Sequence, residues 1–270
     1  MFRKDPLLVI VLGCLLVPLF AQISKDEIKK ILLKLSPLSP GTAERESLKS
    51  RLFQEDEDEL LSIFEGIISS KDLPRGFSYD SHVTLEAIKF IGEMKSERGW
   101  NLLIEFVTQW SSAPYSDDYW MGGKPREAFL LGQTCRVLAK SSLDVLDKIK
   151  RLVQTNVGDN TTKWLRIIIG FAGQGTYYNE IMKLLETDPD PYIREYAAFS
   201  LGKIGRKESI GLLEKALKDS FYVEETFETA AGDIVVLGMK HYVVREAAVH
   251  ALIDLGVKIG RKREEIWIEE

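Results

Sequence analysis

Chemistry in this chain of 270 residues would have to start from three histidines, two cysteines and a run of acids. His82, His241 and His250 do not stand at metal-ligand spacing from one another or from a cysteine, so a zinc site has no ligand set to build on. Glu55-Asp-Glu-Asp-Glu59 has the charge for calcium but lacks the spacing and the glycine of a calcium loop. Ahead of Leu60, Leu61, Phe64, Ile67 and Ile68 it reads instead as a first helical turn, where the dipole favours carboxylates. Gly173-Gln-Gly175 follows a helical stretch and lacks the rest of a dinucleotide fingerprint. There is no Gly-x-x-x-x-Gly-Lys cradle and no Gly-x-Ser-x-Gly elbow. Asn160-Thr-Thr162 fits a glycosylation sequon. The expectation is no catalytic residue, no metal and no cofactor.

The elements that would position any site come from a repeat. Asp188-Pro-Asp-Pro-Tyr-Ile-Arg-Glu-Tyr-Ala-Ala-Phe-Ser-Leu-Gly-Lys-Ile-Gly205 has a counterpart in Tyr242-Val-Val-Arg-Glu-Ala-Ala-Val-His-Ala-Leu-Ile-Asp-Leu-Gly256. At an offset of 51, Arg194 meets Arg245, Glu195 meets Glu246, Ala197 meets Ala248, Leu201 meets Leu252 and Gly205 meets Gly256. Asp188 or Asp190 can cap a helix start, and prolines suit the turn into it. Ala197 and Ala198 admit a close neighbour, Leu201 and Ile204 continue an apolar face, and Gly205 is placed to stop the helix. A second helix with Ile210, Leu213 and Leu217 follows. One such pair cannot bury its own apolar face, so stacking is implied.

The run Asp-x-Asp-x-x-Ile-Arg-x-x-Ala-Ala-x-x-Leu-Gly-x-Ile-Gly resembles the HEAT-like repeat also found in phycobilisome lyases. The resemblance covers 188–218 best, then 242–256, and thins out upstream. It implies an all-α fold, a right-handed α-solenoid of HEAT-like helix pairs, and protein binding with no particular chemistry. It implies structural roles for Asp188, Arg194, Gly205, Arg245 and Gly256, the arginines bracing one repeat against the next. A lyase activity taken from the fold alone has no residue here to carry it.

Helical periodicity places further helices at Lys25–Leu35, Ala43–Phe53 and from Glu55, then pairs around Leu85–Met94 with Trp100–Val107, Arg126–Ala139 with Leu143–Val153, and Thr161–Gly173 with Tyr177–Leu185. Gly92 matches Gly202 at an offset of 110, and Gly173 matches Gly202 at 29, which is taken as the period. Against that period two insertions stand out, 111–125 and 220–241. The second alternates Phe221, Val223 and Phe227 with Tyr222, Glu224 and Thr226, turns at Ala230–Asp233 and resumes with Ile234-Val-Val-Leu237, the pattern of one β-hairpin near the C-terminus. Arg261–Glu270 reads as a charged terminal turn or helix, with Trp267 and Ile268 placed to cover the last repeat.

Met1–Gln22 reads as a secretory signal peptide: Arg3 and Lys4 lead, Leu7–Phe20 form the apolar core and Ala21 offers a small residue for cleavage. That core is shorter than the about 20 residues of a membrane span. Val11-Leu-Gly-Cys14 gives the alternative of a lipid anchor through Cys14, but the apolar run continues well past it. The expected organisation is a signal peptide at 1–21, an N-terminal helical cap at 22–79 and repeats over 80–270. Export to the periplasm or the medium follows, with no stable membrane span after cleavage. Removing Arg3, Lys4 and Asp5 takes 36 basic and 41 acidic side chains to 34 and 40, a net charge of −6. That balance disfavours nucleic acid. Cys135 is then the only cysteine, so no intramolecular disulfide forms, and it reads as a buried, inert thiol.

The expected function is an exported, non-enzymatic scaffold that binds another protein. The partner-binding candidates are Tyr115, Tyr119, Trp120 and Met121 in the first insertion and Tyr222, Glu224 and Phe227 in the second, because repeat insertions map to loops on one face. Another reading of both insertions is that they fold back, burying the loop aromatics and sealing a groove end with Phe221, Val223 and Phe227. The functional alternatives are an enzyme using a groove carboxylate and a structural component of an envelope complex.

Overall fold

Polar residues just ahead of apolar stripes start the first helices. In the computed structural model, which describes residues 23–37, 39–69, 79–115, 119–120, 124–155, 157–228, 234–262 and 265–268, Ser24, Thr42 and Asp56 each accept a hydrogen bond from the N–H three residues on. They open α1 (Lys25–Leu35), α2 (Ala43–Leu52) and α3 (Glu57–Ile68). The segment expected as a signal peptide, with Cys14, lies outside the described residues. After α4 (Tyr79–Met94), Ser96 caps α5 (Glu97–Trp110) in the same way. Then come α6 (Arg126–Leu138), α7 (Leu143–Val153), α8 (Asp159–Phe171), α9 (Tyr178–Thr187), α10 (Pro191–Ile204), α11 (Ile210–Ala216) and α12 (Val243–Asp254). The protein is all-α in class, a stack of HEAT-like helix pairs.

The helices form two layers. In the first, α4 packs on α6, α6 on α8, α8 on α10 and α10 on α12. In the second, α3 meets α5, α5 meets α7, and α9 meets α11. Buried side chains from Ile28 to Leu252 make one continuous core between and within the layers. The N-terminal helices join this core, since α1 and α3 both pack on α4. A buried Arg45–Glu86 ion pair at 2.8 Å and Lys49–Glu93 at 2.5 Å tie α2 to α4.

The geometry corrects the repeat period. Gly170 and Gly202 hold the same position: a Cβ on Gly170 would lie 2.7 Å from Ser200 Cβ of the next first-layer helix, and one on Gly202 would lie 2.7 Å from Ala251 Cα. Gly173 and Gly205 are likewise equivalent, both left-handed just past a helix at φ +75° and +77°. The short 3-10 turns Gly175–Tyr177 and Lys207–Ser209 and the starts of α9 and α11 keep the same spacing. From 173 to 205 the period is therefore 32, not 29. These two units each carry two glycines three residues apart, so identity alone lets the alignment slip by nearly one helical turn.

Three antiparallel two-stranded ribbons are described, against one expected. Tyr119–Trp120 (β1) pairs with Lys124–Pro125 (β2) inside the first insertion. Val223–Glu228 (β3) pairs with Ile234–His241 (β4), with a bulge between Glu224 and Thr226. This is the expected hairpin, its Ala230–Asp233 turn lying outside the described residues. The C-terminal segment, read as a turn or helix, is instead a third ribbon of Ile259–Lys262 (β5) and Glu265–Ile268 (β6). Ile259, Ile266, Trp267 and Ile268 are β-branched or aromatic, a composition that suits strands better than a last helical turn. No helix among the described residues is long and apolar enough to cross a membrane.

Candidate functional site

The resemblance-derived residues assemble around the start of α10. Asp190 caps that helix, accepting from Tyr192 N–H at 2.8 Å. Asp188 is buried, accepts from Asp190 N–H at 3.0 Å and pairs with Lys163 of α8 at 3.0 Å. Arg194 donates to both carboxylate oxygens of Asp219, at 2.9 and 3.2 Å, and to the carbonyls of Asp188 and Pro189. Arg245 reaches the same residue by its carbonyl, donating to Asp219 O at 2.6 Å, and lies 3.9 Å from the centre of the Tyr242 ring. The two arginines thus clamp one loop, the segment between α11 and β3. Gly205 and Gly256 end α10 and α12 in left-handed geometry.

The first insertion lies across α10. Tyr115 is half-buried, packs edge-on against Tyr192 at 5.4 Å and donates its hydroxyl to Asp190 at 2.5 Å. Burial, the charge of Asp190 and this bond raise the Tyr115 phenol pKa and keep it protonated. Burial also raises the Asp190 carboxyl, in spite of the hydrogen bond from Tyr115. At the loop's other end Lys124 reaches Glu195 at 2.5 Å. Glu195 is only 3% exposed and its second oxygen has no hydrogen-bond partner among the described residues. Burial raises its pKa against the pull of Lys124. Tyr119 and Trp120 are placed by their backbones opposite Pro125 and Lys124. Met121 lies outside the described residues.

In the second insertion Phe221 and Val223 turn inward, Phe221 lying edge-on to Tyr192 at 5.7 Å and Val223 buried. Tyr222 is 38% exposed, 4.1 Å beneath the Lys240 ammonium. Glu224 is exposed and faces Lys240 across the ribbon. Phe227 is placed by its backbone opposite Val235.

Sequence reasoning missed a groove on the outer side of the first layer, a cavity of about 450 Å³. Arg136 of α6 lies 5.8 Å from the Phe171 ring centre and 4.9 Å from that of Phe199. His250 of α12 stacks on Phe199 at 6.0 Å. Lys140 stands on the rim, and Lys203 pairs with Asp254 at 2.9 Å. Among the described residues no carboxylate pairs with Arg136 or Lys140. The groove follows the repeat. Arg136, Phe199 and His250 each precede the residue that the preceding first-layer helix's glycine approaches, namely Val137, Ser200 and Ala251. Lys140, Lys203 and Asp254 follow four residues later, one helical turn along, and Phe171 holds that second position on α8. The signal lay in the register: Phe199 and His250 are one offset of 51 apart, but their types differ and identity does not find them.

A family model described as PBS lyase HEAT-like repeat matches residues 193–219, which run from the first turn of α10 through α11 to Asp219. No curated protein matches the chain.

Proposed function

We propose that this chain, a HEAT-like repeat protein, is an exported scaffold that binds another protein on the outer face of its first helix layer and catalyses no reaction of its own. The observation that carries the reading is the groove built from two register-equivalent rows, with two cations, Arg136 and Lys140, that make no salt bridge among the described residues. Stacked helix pairs make extended surfaces of this kind. The groove's own carboxylate, Asp254, is committed to Lys203, which favours recognition over proton transfer. The first insertion serves as a strap: Tyr115 and Lys124 are spent on Asp190 and Glu195, leaving the outer face of α6–α12 as the broader surface. Export rests on the leader-like pattern of Met1–Gln22.

The test is crosslinking of the protein in its native cell, followed by fractionation and identification of what is captured. The expected result is a chain shortened near Ala21 in the exported fraction, joined to one dominant protein. A chain retained inside the cell overturns export, and no captured protein overturns the scaffold. The structural alternative predicts capture that survives replacement of any single surface patch.

A further inference from the structure

Charge and shape in the groove say what kind of polypeptide would fill it. The sequence carries a net charge of −5, yet among the described residues Arg136, Lys140 and Lys203 line one groove with Asp254 as its only acid. Lys203 and Asp254 pair with each other, while Arg136 and Lys140 at the α6 end make no salt bridge among the described residues, the buried Glu195 carboxylate acting on Arg136 only through its field. The Arg136 guanidinium lies against the two phenylalanine rings, which leaves its planar fork of donors for a carboxylate. Beside it the half-buried faces of Phe171 and Phe199 and the His250 ring provide apolar surface. Two cations without a salt bridge among the described residues, over a cavity of about 450 Å³, suit a side chain or two, where a nucleic-acid backbone wants a long basic track.

We infer that the groove binds an acidic segment of a partner protein, with one carboxylate on Arg136 and Lys140 and a neighbouring aromatic or branched side chain against Phe171, Phe199 and His250. This deepens the scaffold reading and rests on it. The carboxylate end gives orientation, and the apolar contact supplies burial that an exposed ion pair lacks.

The experiment selects a random dodecapeptide library displayed on phage against the immobilised full-length mature protein. Enriched sequences are then remade with a fluorescein label for anisotropy titration, with labelled oligothymidylate as a counter-probe. The expected result is an acidic consensus with an aromatic or branched residue beside the acid, binding that weakens as salt rises, and a loss of about tenfold on Arg136→Glu, the scale of one charged hydrogen-bonded contact. Lys140→Glu, at an exposed position without an ion pair among the described residues, weakens it severalfold and keeps the test open should Arg136→Glu disturb folding, which helical circular dichroism reports. Lys183→Glu on the exposed side of α9 leaves binding unchanged. Basic or neutral sequences, no enrichment, tighter binding of oligothymidylate, or full affinity in both groove variants would each overturn the inference. Capture of a cellular partner together with failure of the acidic peptides would sink the groove assignment and leave the scaffold standing.

Discussion

Glu195 is a nearly buried carboxylate held by one lysine from a loop 71 residues earlier. Its folded pKa is raised, first by burial. A carboxyl that holds its proton more tightly when folded contributes stability that is fully present below its unfolded value, about 4.3, and lost as pH rises through the folded value. Asp190, under the same strap, shifts the same way. The unfolding free energy of Glu195→Gln, whose amide oxygen can still accept from Lys124, should therefore decline less from mildly acid to neutral pH than that of the wild type. Parallel profiles from urea titrations at several pH values would contradict the burial argument. Arg194 is a second single-residue test. Arg194→Ala leaves a half-buried Asp219 without its charged partner and two carbonyls without a donor, and should cost about 2 kcal/mol. Arg194→Lys should recover less than half, because one ammonium cannot match the fork that bridges both Asp219 oxygens. Equal stability of Arg194→Lys and wild type in urea would refute the bracing role.

The stacking glycines govern how close neighbouring first-layer helices come. Gly202→Ala places a methyl against Ala251 backbone and should destabilise by about 2 kcal/mol, as overpacking does. Lys95 shows the reverse case: it follows α4 in left-handed geometry at φ +54°, where α10 uses Gly205. Lys95→Gly should stabilise by roughly 0.5 kcal/mol, the strain relieved less the entropy glycine adds to the unfolded chain. Thermal melts check both, and a neutral Gly202→Ala would mean the layer is looser than described. Element by element, the helices were legible because caps and apolar stripes are local: Lys25–Leu35 and Leu143–Val153 were read to the residue. The C-terminal ribbon was not, since Arg261, Lys262 and Arg263 mimic a charged helix end while strand pairing is settled by a partner across the turn. The period slipped by three residues because the glycine pair Gly170/Gly173 resembles Gly202/Gly205 displaced by one member.

Across the molecule, two layers and one continuous core turn weak local similarity into a shared surface. Repeat stacking was legible from Arg194/Arg245 and Gly205/Gly256, whereas the common target of the two arginines, Asp219, was not, lying 25 and 26 residues away. The groove was hidden for a related reason. Equivalent positions carry Arg136, Phe199 and His250, which share a place and not a type, so only the stacking register brings them together. The insertions drew attention by composition, yet Tyr115, Phe221 and Val223 are spent holding the stack. The central claim is that a partner protein docks on the outer face of α6–α12. The most direct measurement is site-specific photocrosslinking in the native cell, with a benzophenone amino acid placed in turn at Lys140 and Lys203 on the first layer and at Lys183 on the second. Capture of one protein from both first-layer positions and none from Lys183 is the result predicted. Capture from Lys183 alone, or from no position, would contradict it.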